Sequence, residues 1–517
     1  MMKRQRMISD GALARLRQAA LEAWRRQDYP EYFKLMEQAS RQDPANSMIL
    51  LDMGAAYGMR YEYAAAERCF EKAVRVSPAR SNALIMAGTQ CRGFERYEMA
   101  RHYFERAVQE PAASPDTYVK LAEIYERFRL LDEASELVAR ALRLNPACAL
   151  ATLVGARLDR LGGKVEEAER RLRPLLSQSG RDTWSTRIRG WYELGAVLDA
   201  QGRYDEAMAA FLEAKKMILP TAANYIATQK LVQSRLKLVE EKLNAGMVAR
   251  WRAQSAGLQP PRRLALLCGH PRSGTTLLEQ VLDSHPDFVS AEETGIFQRE
   301  AFWHLLRDTP PEMLLHDVLD SASPEGLRQA RQNYTECMTK FLGQPPDSRM
   351  LIDKNPALTG LVLGFMRVFP EAKLLVALRD PRDVCLSCFM QPLPLGQVSS
   401  IFLTLESACQ EYASVMGLWR AAAPCLGQSF LEVRYEDLVE DLEGVARRAL
   451  EFLGAAWDER VLRFHEHAGS KLVRSPTYAA VVRPISKGAV GRWRHYQKHL
   501  EPWLETLAPF VKAFGYE

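Results

Sequence analysis

The chain has 517 residues, of which 47% are hydrophobic and 26% are charged, and its formal net charge is +5. Single hydrophobic cores usually stop growing at roughly 250–300 residues, so two or three domains are expected. The composition is that of an ordinary globular protein, and the small net charge does not indicate a nucleic-acid-coating protein, although a local basic cluster could still bind one anionic ligand.

The nine cysteines are scattered and odd in number, which is typical of reduced thiols in the cytosol and not of a disulfide framework. Cys385 and Cys388 form an isolated pair inside an apolar stretch, which favours packing over a zinc or redox role. The basic first residues lack the apolar core of a secretory signal, and no stretch approaches the ~20 apolar residues of a membrane span. We therefore expect a cytoplasmic protein without a membrane span.

The first half of the chain repeats, with a step of 34 residues between equivalent positions. One series of small residues consists of Ala66, Ala100, Ala134 and Ala168, followed after a longer step by Ala207. A second series consists of Gly54, Gly88, Ala122, Ala156 and, after the same longer step, Gly195. Phe70 and Phe104 share the register, and prolines fall between units, where a helix must stop. A weaker copy at 11–43 is expected to cap the array.

Small residues at these positions let two helices approach closely, while the larger apolar positions fill the space between them. The pattern resembles tetratricopeptide repeats, which implies a helical solenoid over residues 1–220 with a concave surface for a protein partner or an acceptor. A stacking scaffold that binds no ligand is the alternative. A polar helical linker follows over 221–258, and the stretch GLQPPRR marks the domain boundary.

The remaining residues, 259–517, alternate short apolar runs with helical periodicity. The predicted strands are 264–269, 288–292, 350–353, 373–378 and 429–434. The predicted helices between them are about 275–284, 358–369, 381–390 and 402–421. Apolar strands with helical crossovers indicate a parallel sheet covered on both faces, and ligands of such sheets bind at the carboxyl ends of the strands.

A candidate anion site lies at the end of the first predicted strand, in the stretch LALLCGHPRSGTT. Backbone N–H groups that enter a helix N-terminus attract phosphate, a glycine permits close approach, and hydroxyls add donors. The candidate residues are Arg272, Ser273, Gly274, Thr275 and Thr276. An ordinary tight turn is the alternative. The lysine of a nucleotide-hydrolase loop is absent after Gly274, which disfavours a P-loop kinase or hydrolase.

A second candidate anion site lies in ALRDPRDVCLSCF, after the strand at 373–378. Arg379 stands at the strand end, and Ser387 follows eight residues later, so the two side chains could bind a second, separate phosphate. The alternative is a surface ion pair, either Arg379 with Asp383 or Arg382 with Asp380.

Together the two motifs resemble the 5′-phosphosulfate loop and the 3′-phosphate motif of the sulfotransferase superfamily, over about half of the chain. The resemblance is greatest to the protein-tyrosine sulfotransferase branch and to its bacterial relatives with tetratricopeptide repeats. It implies a P-loop-like α/β domain that uses 3′-phosphoadenosine 5′-phosphosulfate without a metal. Two phosphate positions on one ribose are consistent with two separate anion sites.

The resemblance also implies the catalytic residues. In HPDFVSAEET it makes Glu293 the general base, and in LIDKNPA it makes Lys354 a contact of the transferring sulfuryl group and the leaving oxygen. On physical grounds, Arg272 and Lys354 would stabilise the charge that develops on the sulfuryl oxygens and on the departing 5′-phosphate. The neighbouring carboxylates of Glu292 and Glu293 should point in opposite directions along a strand, so that one faces the donor. An acid near a helix N-terminus and an ordinary turn lysine are the alternatives for Glu293 and Lys354.

Further donor contacts are implied nearer the C-terminus. Tyr435 in VRYEDL matches a tyrosine of the donor pocket, and Thr477 and Arg492 take the places of a serine and a lysine in the family. Lys487, followed by glycine, resembles a K-G pair of cytosolic sulfotransferases. The basic, aromatic stretch around Arg492 is better explained by closure over a nucleotide than by nucleic-acid binding.

The sequence therefore predicts a sulfotransferase that acts on an acceptor hydroxyl, with the repeats binding the acceptor or a partner. The acceptor stays open among a protein tyrosine, a glycan, a lipid and a small alcohol. The alternative is a repeat-based interaction scaffold whose nucleotide-binding domain has lost turnover.

Overall fold

The computed structural model describes the chain except for residues 1, 112, 178–183, 255–256, 259–262, 308, 311, 347, 394, 471–480 and 483–484. The chain divides into two compact units, Met1–Leu175 and Leu176–Glu517. A helical repeat region is followed by a parallel-sheet domain, so the predicted fold class is confirmed.

The first unit consists of helices that pack against their neighbours in sequence. They are α1 Met2–Arg25, α2 Tyr29–Gln42, α3 Ser47–Met59, α4 Tyr63–Val76, α5 Arg80–Gly93, α6 Tyr97–Ala107, α7 Pro115–Arg127, α8 Leu131–Leu144, α9 Ala149–Leu161 and α10 Val165–Ser177. The recurring alanines at 66, 100 and 134 are fully buried, as the repeat pattern predicts.

The recurring glycines explain the repeat physically. A Cβ atom built on Gly54 would lie 2.4 Å from a ring carbon of Phe70, and one on Gly88 would lie 2.9 Å from Phe104. The glycine of one helix and the phenylalanine sixteen positions later therefore interlock, because the ring occupies the space that a side chain would need. The same contact recurs between Gly195 and Phe211, where the distance would be 2.5 Å.

The second unit begins with one more helix pair of this kind and two further helices. These are α11 Trp184–Ala200, α12 Tyr204–Ile218, α13 Ala223–Lys242 and α14 Ala245–Gln254. The predicted polar segment after the repeats is thus largely helical. Gln229 and Gln233 of α13 both donate hydrogen bonds to the buried carboxylate of Glu411, so α13 packs into the second unit.

The sheet of the second unit is entirely parallel, with the strand order β2-β3-β1-β4-β5. Its strands are β1 Leu264–Gly269, β2 Phe288–Glu292, β3 Met350–Lys354, β4 Lys373–Leu378 and β5 Phe430–Arg434. All five strands agree with the prediction to within one residue at either end. Every residue of the central strand β1 is buried, which accounts for its unbroken apolar sequence.

Helices cover the sheet and connect its strands. They are α15 Thr275–Asp283, α16 Trp303–Leu306, α17 Leu315–Ser321, α18 Pro324–Leu342, α19 Val362–Val368, α20 Pro381–Phe389, α21 Leu405–Leu426, α22 Tyr435–Glu440, α23 Leu442–Leu453, α24 Phe464–Ser470, α25 Gln497–Leu500 and α26 Leu504–Ala513. Among the described residues, no helix combines the length and the apolar character needed to cross a membrane.

Candidate active site

A cavity of about 510 Å³ opens at the carboxyl ends of the strands in the second unit. This volume lies within the roughly 300–1,000 Å³ that is usual for small-molecule sites. Nine of the residues that the sequence predicts for the site line it: Arg272, Gly274, Thr275, Thr276, Glu293, Arg379, Ser387, Tyr435 and Arg492.

The loop after β1 is held in one conformation by a tight turn and a glycine. The N–H of Ser273 donates to the carbonyl of His270 at 3.1 Å, and Gly274 then adopts a φ of +92° immediately before α15. A Cβ on Gly274 would lie 2.6 Å from Cδ2 of Tyr435, so a side chain there would collide with the tyrosine ring. The loop thus brings the N-terminus of α15, the end of a helix that favours anions, to the cavity.

The base of this loop is fixed by Thr359, which sequence reasoning did not identify. Its hydroxyl accepts from the N–H of Gly269 at 2.8 Å and donates to the carbonyl of the same residue at 2.7 Å. Gly269 has a φ of +130°, and a Cβ there would lie 2.3 Å from the carbonyl oxygen of Ala377. The loop therefore leaves the sheet at a defined place beside β4.

The two predicted anion motifs meet at the cavity wall. Nε of Arg272 donates to Oγ of Ser387 at 3.1 Å, and Nη1 of Arg379 donates to the carbonyl of Arg272 at 3.2 Å. The Arg379 guanidinium also lies 5.0 Å from the ring centroid of Tyr435. Burial lowers the pKa of Arg272, and the charge of Arg379 acts in the same direction. Two neighbouring cations in a partly desolvated cavity favour the binding of an anion.

Both ion pairs named above as alternatives are present in the structure. They show that Arg382 and Arg379 have different surroundings. Arg382 pairs with Asp380 at 2.8 Å and donates to the carbonyl of Tyr516. Arg379 pairs more loosely with Asp383, at 3.7 Å, and lines the cavity. Its buried Nε has no hydrogen-bond partner among the described residues. Arg379 is thus the arginine of the two that lies at the cavity.

A buried lysine and three carboxylates form the other side of the site. Nζ of Lys354 lies 2.7 Å from Glu293, 3.3 Å from Glu292 and 3.4 Å from Glu279. The side chains of Lys354 and Glu279 are inaccessible to solvent, whereas that of Glu293 is 40% exposed. The Lys354 ammonium therefore contacts Glu293 from the protein interior, while Glu293 itself lines the cavity.

The backbone explains why two adjacent carboxylates reach the same lysine. Strand β2 ends at Glu292, and Glu293 has a φ of +48°, so the alternation of side chains along the strand stops there. The N–H of Glu293 donates to the carbonyl of Lys354 at 2.7 Å, which anchors this turn on β3. Of the two carboxylates, Glu293 lines the cavity.

The surroundings of Lys354 favour its charged form. Burial alone would lower its pKa, but Glu279, Glu293 and Glu292 together raise the pKa above its ordinary value. Lys354 is consequently a fixed cation, since a buried ammonium with several carboxylate partners is strongly favoured over the neutral amine.

The preceding residue, Asp353, gives a testable pH dependence. It is fully buried and accepts from the hydroxyl of Tyr334 at 2.9 Å. Burial raises the pKa of Asp353 to about 7, although the hydrogen bond from Tyr334 acts in the opposite direction. The folded state then holds a proton that the unfolded chain releases near pH 4, so this residue's contribution to stability falls as pH rises from about 4 to 7.

Asp353→Asn removes this ionisable group. We expect the variant to unfold at a higher temperature than the parent at pH 8, by the equivalent of a few kcal/mol, and the difference to shrink at pH 5. Thermal unfolding at the two pH values measures this. Asp287→Asn, at an exposed position before β2, is the matched control and should show no such pH-dependent difference. If the unfolding temperatures of Asp353→Asn and the parent differ equally at both pH values, the raised pKa of Asp353 is contradicted.

Three of the predicted residues that the structure describes are not on the cavity wall. Ser273 is buried within the loop, and Lys354 lies behind Glu293. Lys487 is exposed and pairs with Glu440, although its neighbours Ser486 and Gly488 line the cavity. Thr477 lies outside the described residues.

Other residues of the site were not identified from the sequence. Asn355, Gln391 and Phe402 line the cavity. For Glu279 the sequence does offer a signal of a functional role, because an acidic residue stands within α15, a short helix that is otherwise largely buried. Lys215 of α12 had none. It is 2% exposed and donates to the carbonyl of Phe402 at 2.5 Å, and burial lowers its pKa to about 7.

Comparison with known proteins agrees with this architecture. Residues 265–459 match the model of the Sulfotransferase family, and residues 115–148 and 188–218 match that of the Tetratricopeptide repeat. An uncharacterized protein of Aquifex aeolicus is 24% identical over 73% of this chain and 48% of its own length. Protein-tyrosine sulfotransferase 1 of Danio rerio is 27% identical over 49% of this chain and 72% of its own.

Among solved structures, the sulfotransferase domain of the Synechococcus PCC 7002 olefin synthase is 22% identical. It aligns with 49% of this chain and 97% of its own, with a TM-score of 0.36. The chain spans about half the length of the Aquifex aeolicus protein that it matches. Residues 265–459 form a domain of the sulfotransferase family, in a chain that also carries tetratricopeptide repeats.

Proposed function

We propose that the protein transfers the sulfuryl group of 3′-phosphoadenosine 5′-phosphosulfate to an acceptor hydroxyl. One observation carries the proposal. A carboxylate, Glu293, faces a cavity whose other wall holds Arg272, Arg379 and the N-terminus of α15. A base and several anion-binding groups around one space are what in-line transfer of an anionic group requires.

Two groups of residues on the cavity lining are proposed to hold the two phosphates of the nucleotide. The N-terminus of α15 and the hydroxyls of Thr275 and Thr276 suit a 5′-phosphosulfate, and the glycine at 274 allows close approach. The guanidinium of Arg379 and the hydroxyl of Ser387 suit a 3′-phosphate. When bound, the nucleotide supplies an activated sulfuryl group on its 5′-phosphate oxygen.

Glu293 acts as the general base in this proposal. An acceptor hydroxyl has a pKa far above 7, so its proton must be removed as its oxygen bonds to sulfur. The Glu293 carboxylate accepts that proton, and Lys354 holds the carboxylate in position with a 2.7 Å contact. Lys354 is therefore a positioning residue in the described geometry, because it reaches the cavity through Glu293.

The arginines stabilise the charge that the reaction releases. As the bond from sulfur to the 5′-phosphate oxygen breaks, its electron pair stays on the phosphate. Arg272 lies on the cavity wall and is held in place by Ser387, so its guanidinium does not need to reorganise to meet this charge. Preorganised donors of this kind contribute about 10² to 10³ in rate.

The repeats are proposed to bind the acceptor or a protein that carries it. Repeat solenoids present extended surfaces to other molecules, and a macromolecular acceptor would use such a surface. Protein tyrosine is one candidate acceptor, since several curated relatives of this domain are named as protein-tyrosine sulfotransferases. Incubating the protein with ³⁵S-labelled donor and synthetic peptides, glycans and small phenols separates these classes.

Arg379→Ala tests the nucleotide site directly. Isothermal titration with adenosine 3′,5′-bisphosphate, in buffer containing a chelator, should give saturable binding to the parent protein. We expect the substitution to weaken binding about 30- to 150-fold, because a charge-assisted hydrogen bond to a buried anion is worth about 2–3 kcal/mol.

Arg382→Ala is the matched control, since this arginine is three residues away and pairs outside the cavity. Its affinity for the nucleotide should stay within a few-fold of the parent value. If the parent protein does not bind the nucleotide, or if both variants lose affinity equally, the proposed function is wrong.

A further inference from the structure

The helix pair formed by α11 and α12 contacts two residues that line the cavity, Arg492 and Phe402. It has the repeat geometry, as the contact of Gly195 with Phe211 indicates, and residues 188–218 match the tetratricopeptide repeat. The pair nevertheless belongs to the same compact unit as the sheet. The polar contacts between this helix pair and the sheet domain therefore lie within one compact unit.

One residue of this pair, Asp199 near the end of α11, has both carboxylate oxygens engaged. Oδ2 lies 2.5 Å from Nη2 of Arg492, and Oδ1 accepts from the hydroxyl of Tyr496 at 2.6 Å. The Asp199 side chain is only 17% exposed. Burial would lower the pKa of Arg492, but the hydrogen bond and the charge of Asp199 raise it. The pair is thus more than a solvated surface contact.

Arg492 lines the cavity, and its backbone is fixed independently of Asp199. The carboxylate of Asp383 accepts the N–H groups of Gly491 and Trp493, each at 2.7 Å. Arg379 donates to the nearby carbonyl of Ala489. The sheet domain thus sets where the Arg492 backbone lies, and Asp199 sets the direction of its side chain.

The orientation of this side chain matters because a free arginine loses rotamer entropy when a ligand immobilises it. An arginine already held by a carboxylate loses less on binding. The negative charge of Asp199 acts in the opposite sense, since it partly cancels the field that attracts an anion. Removing the Asp199 carboxylate would weaken anion binding if the orientation of Arg492 dominates, and would strengthen it if the charge of Asp199 dominates.

We propose that Asp199 is a positioning residue for the donor nucleotide, which it serves by orienting Arg492 toward the cavity. The last helix pair of the repeats is then part of the donor site and not only an acceptor-binding surface. Lys215 of α12 supports this, because it holds the carbonyl of Phe402, a residue on another wall of the cavity. The inference rests on the proposed function, since it assumes that the cavity binds a nucleotide.

Titration with adenosine 3′,5′-bisphosphate tests the proposal in the full-length protein. We expect Asp199→Asn to weaken binding about tenfold, Arg492→Ala to weaken it at least as much, and the double variant to be no weaker than Arg492→Ala alone. Asp205→Asn is the matched control. Asp205 contacts Lys498 at 2.6 Å and His499 at 3.3 Å, which places it between the same two segments but outside the cavity lining.

The outcomes are distinguishable. Nucleotide binding by Asp199→Asn that equals or exceeds that of Asp205→Asn would overturn the positioning role, as would additive losses in the double variant. If Asp199→Asn does not fold, Asp199→Glu keeps the charge but displaces the carboxylate, and it must still bind several-fold more weakly than the control. If the parent protein itself binds no nucleotide, the proposed function fails and this inference fails with it.

Discussion

Glu293→Gln is expected to reduce sulfuryl transfer by about 10² to 10⁴, which is the usual contribution of a general base. Glutamine has the same shape and can still accept a hydrogen bond from Lys354, but it cannot take the acceptor's proton. The affinity for adenosine 3′,5′-bisphosphate should change by less than about threefold, because the residues proposed to bind the nucleotide do not include Glu293. Transfer of ³⁵S under single-turnover conditions and calorimetric titration measure the two quantities.

Glu292→Gln provides the matched control for this experiment. Glu292 lies 3.3 Å from the same lysine, but it is buried and does not line the cavity. We expect this variant to keep most of its transfer activity once its folded fraction is taken into account. Normal transfer by Glu293→Gln, or equal losses in the two variants, would show that Glu293 is not the base.

Lys354→Met is expected to have the largest effect on stability. It leaves Glu279, Glu292 and Glu293 without their common cation, and removing one partner of a buried ion pair typically costs about 3–5 kcal/mol. Transfer should also fall by about 10² or more, because Glu293 loses the contact that positions it. Urea unfolding gives the free energy of unfolding, and transfer by the folded fraction gives the catalytic loss.

A second substitution separates the two consequences of losing Lys354. Glu279→Gln in the Lys354→Met background removes a fully buried carboxylate on the side away from the cavity, so part of the stability should return. Transfer should stay low, because Glu293 still lacks its ammonium. Recovery of transfer together with stability would assign Lys354 a purely structural role.

Local features of the sequence predicted much of the fold. Each strand of the sheet is a short apolar run, and a run buried on both faces can be recognised without knowledge of its neighbours. The loop after β1 was recognisable because glycine, hydroxyl residues and a following helix stand next to one another in the chain. The glycines at the 34-residue step could also be recognised from the sequence, because each contacts a phenylalanine only sixteen residues later.

The conformation of Glu293 could not be predicted in this way. A run of apolar and polar residues suggests that a strand continues with alternating faces, but the chain turns at Glu293 with a positive φ. The hydrogen bond from its N–H to the carbonyl of Lys354 stabilises that turn. A residue 61 positions away thus decides where the carboxylate points.

The sequence by itself determined the class of the protein, which is a helical repeat array joined to a parallel-sheet sulfotransferase domain, and it identified nine of the residues on the cavity wall. Only the tertiary structure decided which carboxylates surround Lys354, and only the fold brought Asp199 to a segment 297 positions later. The reason is physical. Periodicity and loop motifs report interactions between residues that are near one another in the sequence, whereas buried ion pairs depend on which distant elements the core brings together.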